Sequence, residues 1–98
     1  MSFEQALSTT LAAAVGDDHA LVAELRGAFF QSAARHFAAL RDAVTDEAWR
    51  EAALRLKGLA ASFGATTLIA QADQAANGRR GDVTLLDEIE RGLAVLAV

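Results

Sequence analysis

Apolar residues along this chain return every three or four positions, over stretches too long for strands. Proline and tyrosine are absent, alanine is abundant and β-branched residues never run for long, so local preference favours helix almost everywhere. Glycines, together with Ser, Thr and Asp at helix starts, cut the chain into five segments. The first is short, opening at Ser2 with Gln5 positioned for a capping box and ending near Gly16. A second, long segment opens at Asp17-Asp18 and carries Leu21, Val22, Leu25, Phe29, Ala33, His36, Phe37, Leu40 and Val44 at helical spacing. Gly27 interrupts it at a cost of about 1 kcal/mol relative to Ala, which packing overrides, so the helix is expected unbroken. The third runs from a Thr45-Asp46-Glu47 cap to Phe63, where Gly64 stops it. The fourth spans Ala65 to Asn77 and the fifth follows Asp82, with Leu85, Leu86, Ile89, Leu93 and Leu96 as its stripe. Short connections make neighbouring helices antiparallel. The expected fold is all-α: one domain over residues 1–98, an up-down antiparallel four-helix bundle with the first segment as a short N-terminal lid.

The third segment has two faces. At about 100° per residue, Trp49, Ala52, Ala53, Leu56, Leu59, Ala60 and Phe63 fall on one third of the helix circumference and form the buried stripe. Leu54 points roughly 160° away from the centre of that stripe, with Arg50, Lys57, Gly58 and Ala61 as its surface neighbours. An apolar side chain is therefore expected in water, beside a glycine and an alanine small enough to let another protein's backbone approach.

Residues 52–65, AALRLKGLAASFGA, resemble the signature of histidine-containing phosphotransfer (HPt) domains, in which a histidine precedes x-Leu-Lys-Gly and a glycine-alanine stop closes the helix. The order of helices is similar to that family over nearly the whole chain. The resemblance implies an exposed histidine that exchanges a phosphoryl group with an aspartate of a receiver domain. By position, Lys57 matches the lysine that neighbours the phosphoryl group, Gly58 matches the glycine that makes room for the receiver, and Leu54 falls on the histidine itself. Leucine has no nitrogen nucleophile, so no residue here is assigned a catalytic role at that position. What the resemblance implies is a phosphorelay module that docks a response-regulator receiver domain or a histidine kinase through Arg50, Leu54, Lys57, Gly58 and Ala61, without being phosphorylated. Two other functions stay open from sequence: an active phosphocarrier using His36 or His19, and an oligomerising bundle in which Leu54 packs on a second copy.

Composition narrows the partners. A net charge of -4 and a pI near 5.0 oppose a grip on nucleic acid, which needs a surplus of cations facing phosphates. No run reaches the roughly 18 apolar residues of a membrane span. The chain lacks cysteine and a cationic leader, so the cytoplasm is the expected setting. No cofactor or metal is expected. His36 lies on the apolar arc of the second segment, and Ala39 and Leu40 stand where the phosphotransfer pattern wants lysine and glycine. His19 sits at a helix start, roughly 25 Å from His36 at 1.5 Å rise per residue, too far to share a metal. Asp17, Asp18, Asp46, Glu47 and Asp82 occupy cap positions, and Arg79 and Arg80 read as solvated charges at a turn.

Overall fold

A computed structural model describes residues 18–97, so the proposed lid and its Ser2 cap lie outside the described residues. Within them are four helices: α1 His19–Arg41, α2 Asp46–Phe63, α3 Thr66–Ala76 and α4 Val83–Ala97. No strand occurs among the described residues. Each helix packs on its chain neighbour, and α1 closes the ring against α4. The start of α1 meets the end of α4, where the Arg26 guanidinium donates to the Leu96 carbonyl at 3.3 Å. The result is the up-down antiparallel bundle, 43 × 21 × 18 Å.

Local chemistry sets the helix ends. The Asp18 carboxylate accepts from the Leu21 N–H at 3.0 Å and the Thr45 hydroxyl from the Ala48 N–H at 3.0 Å. Asp82 takes two amides at the head of α4, those of Thr84 and Leu85. These oxygens satisfy donors that a helix cannot pair internally. At the end of α2, Gly64 adopts a left-handed φ of 70°. Its N–H reaches the Ala61 carbonyl while that of Ala65 reaches Ala60, a Schellman stop that turns the chain into α3 within two residues.

One expectation fails at the end of α1. The helix stops at Arg41, and Val44 lies in the connection, 80% exposed, instead of continuing the apolar stripe. Asp42 is the C-cap: its N–H bonds the Ala38 carbonyl, and its carboxylate holds the Arg41 guanidinium at 3.1 Å. Ala43, rather than Val44, packs against the core. Gly27 leaves α1 unbroken, as expected.

The core is small and rich in alanine. Trp49, Phe29, Leu40, Leu56, Leu68 and Ile89 are its large members, and alanines at 33, 52, 53, 60, 65, 72, 75 and 76 let the helices approach closely. No polar or charged residue is buried among the described residues. At the level of atoms the buried Trp49 indole N–H finds a partner, donating to the Ala75 carbonyl at 2.7 Å. That bond pins the first turn of α2 to the last turn of α3.

Candidate functional site

The stripe expected on α2 is where the sequence puts it: Trp49, Ala52, Ala53, Leu56 and Ala60 are buried, and Leu59 and Phe63 are half-buried against the core. Burying that side turns the opposite face to solvent. Leu54 lies there in the helix interior, 42% exposed, and Arg50, Gly58 and Ala61 are exposed beside it. Beyond its chain neighbours and the backbone of its own helix, no described atom comes within 4 Å of the place a Cβ on Gly58 would occupy. Gly58 is therefore not required by packing, and it leaves an open notch one turn beyond Leu54. Its carbonyl accepts the Ser62 hydroxyl at 3.0 Å, a local bond that leaves the notch clear.

The charges around Leu54 are ordered by neighbours. On the side facing α3, Arg50 donates to the Ala76 carbonyl at 3.2 Å, and the Lys57 ammonium donates to Asp73 Oδ1 at 2.7 Å. On the side facing α1, Arg55 pairs with Glu51 at 2.6 Å along the helix. The Ala75 and Ala76 carbonyls belong to the last turn of α3, where no further helical donors follow; Trp49 and Arg50 of α2 supply them. The five residues singled out from sequence share one helix face. Asp73 was missed, because nothing in a single sequence sets the register of α3 against α2.

His36 is half-buried in the groove between α1 and α2, lined by Ala39, Ala48, Glu51, Ala52 and Arg55. Its pKa lies below the usual histidine value of 6.5, first because burial penalises the imidazolium and then because Arg35 and Arg55 repel its charge. No lysine lines that groove, which agrees with the absence of the Lys-Gly pattern after His36. His19 is exposed at the first position of α1. No group of three or more potential metal ligands occurs among the described residues, and none of their helices is long and apolar enough to cross a membrane. Arg79 and Arg80 are exposed, as solvated charges at a turn, and the Arg80 guanidinium also holds Asp46 at 3.1 Å across 34 residues, tying the α3–α4 connection to the head of α2.

No curated protein and no solved structure matches the chain. The family model of the Hpt domain, by contrast, matches residues 24–97. That span takes in the greater part of α1 and the whole of α2, α3 and α4, including the Leu54 face. With most of its length inside that match, and folded as a four-helix bundle, this chain belongs to the Hpt domain family, the phosphotransfer modules of two-component phosphorelays.

Proposed function

We propose that this protein is a non-phosphorylated docking module of a two-component phosphorelay, which binds a receiver domain or a histidine kinase through Arg50, Leu54, Lys57, Gly58 and Ala61. The observation that carries the reading is Leu54, an exposed leucine at the position where the family's signature has its phospho-accepting histidine. Phosphoryl transfer needs a nitrogen lone pair to attack phosphorus, and an isobutyl side chain has none. Docking needs only surface. Full burial of a leucine is worth about 1.5–3 kcal/mol, and less than half of Leu54 still meets water, so covering it contributes about 1 kcal/mol. Gly58 and Ala61 let a partner's backbone come close enough to do so. In this reading the protein acts in the cytoplasm.

The test uses isotope-labelled protein titrated with receiver domains and kinase domains. Amide shifts that centre on residues 50–61 and vanish in Leu54→Arg are expected. In the same scaffold, Leu54→His is expected to accept acid-labile phosphate from the phosphorylated receiver that binds. Acid-labile phosphate on the unmodified chain, lost on replacing His36 or His19, would overturn the reading in favour of an active carrier. A dimer broken by Leu54→Arg, with no receiver bound, would overturn it in favour of self-association.

A further inference from the structure

Each cation bordering Leu54 on α2 is engaged inside the chain, but the engagements differ in kind. Arg55 holds a neighbour one turn away on its own helix, and Arg50 holds a backbone carbonyl. Lys57, the chain's one lysine, holds the Asp73 carboxylate of another helix. Both heads of this pair are only partly covered by protein, so solutes reach them. An exposed pair of this sort is weak and exchanges readily. A lysine ammonium is also a compact point charge on a flexible stem, able to turn from one anion to another.

We infer that Asp73 is a specificity-determining residue of the docking face, an internal anion that occupies Lys57 until an acidic group of the partner displaces it. The inference rests on the docking reading above. The group it competes with is the carboxylate, or the acyl phosphate formed on that carboxylate, on the aspartate-bearing face of a receiver domain. Both are oxyanions, and the phosphoryl form, with more negative charge, displaces Asp73 more effectively. A partner presenting a neutral or basic group at this point gains nothing from Lys57. Asp73 thus lowers affinity for acidic partners and limits the advantage that Lys57 gives them over partners with a neutral or basic group at this point.

Calorimetric titration of the full chain with a receiver domain tests this, using the receiver alone and the receiver loaded with beryllofluoride as the phosphoryl mimic. Asp73→Asn keeps the shape and removes the charge. It is expected to tighten binding about two- to fivefold, the range of an exposed ion pair, and more at low salt. Asp87→Asn makes the same change in net charge at the Arg91 pair on α4 and is expected to leave affinity unchanged. Lys57→Ala is expected to erase the gain in the double variant. Equal gains in Asp73→Asn and Asp87→Asn, a gain that survives without Lys57, or no gain at all would overturn the inference. A partner-free arm separates this failure from failure of the docking reading. Inorganic phosphate, followed by the carbon-13 methyl signal of reductively methylated Lys57, is expected to perturb Asp73→Asn at lower concentration than the parent. Identical phosphate curves, with receiver binding still abolished by Leu54→Arg, sink the competition and leave docking standing. Receiver binding indifferent to Leu54→Arg sinks docking, while the phosphate curves still decide what Asp73 does at Lys57.

Discussion

Replacing Trp49 by Phe tests whether the α2–α3 seam, and with it the placement of Asp73 opposite Lys57, is built as described. Trp49 is 2% exposed and its indole N–H bonds the Ala75 carbonyl at 2.7 Å. The phenyl ring removes that donor and leaves the space of the missing ring atoms. The carbonyl keeps one partner, since the Gly78 N–H also reaches it at 3.1 Å, so the lost bond costs the ordinary net value of about 1 kcal/mol rather than the penalty of a bare buried acceptor. The smaller ring adds about 1–2 kcal/mol of lost burial and imperfect refilling. Together the variant is expected to lose about 2–3 kcal/mol, which for a domain of this size lowers Tm by roughly 10–20 °C. Urea unfolding followed by far-ultraviolet circular dichroism reads the loss as a lower midpoint at unchanged slope. Loosening of the seam should also broaden the Lys57 side-chain signal. A loss below about 0.5 kcal/mol, the range of ordinary surface substitutions, would refute the claim that this indole fastens the two helices.

Other substitutions separate folding from docking. Gly58→Ala places a methyl in open space within a helix and is expected to raise stability by up to about 1 kcal/mol in thermal melts, while weakening receiver binding because the notch is filled. Gly64→Ala meets a left-handed φ of 70° and is expected to cost about 1–2 kcal/mol, seen as a Tm several degrees lower. His36, whose pKa is depressed in the folded state, binds its proton more readily when unfolded. Its contribution is therefore present above pH 6.5 and fades as pH falls below it through the folded value. The fall in the urea midpoint from pH 7.5 to pH 5 should accordingly be smaller in His36→Gln than in the parent, and equal falls would exclude the effect.

The helices were legible because their signals are local. Thr45, Asp82 and Gly64 each act on amides or carbonyls within a few residues, and each marks the boundary that its chemistry implies. Leu54 was placed correctly for a related reason: the Trp49 to Phe63 stripe fixes which side of α2 is buried, and the opposite side follows from helix geometry. Val44 shows where such reasoning stops. Its spacing continues the stripe of α1, yet spacing says nothing of where the hydrogen-bond ladder ends, and the Asp42 cap ends it first. Both Asp73 at Lys57 and Asp46 at Arg80 escaped because each joins elements whose relative register depends on tertiary packing. His36 is half-buried, as its place on the apolar arc of α1 implies, but the Arg55 charge beside it comes from another helix and has no local signal in the sequence.

Two neighbouring features of α2 are unfavourable to the folded chain on its own, and both are what a docking surface would need. A glycine in a helix interior costs about 1 kcal/mol relative to alanine, and here no described neighbour would clash with the methyl group. An exposed leucine gains little where a charged or polar residue would be better solvated. Gly27 in α1 is equally open, but its neighbours one turn away are Ala23, Glu24, Phe30 and Gln31, none of them a large apolar side chain exposed to water. Among the described residues, only on α2 do an open glycine and an exposed leucine stand one turn apart, beside a lysine already holding an anion. A core requirement explains none of the three, whereas a partner that covers Leu54, enters the gap at Gly58 and brings its own acidic group to Lys57 uses all of them at once.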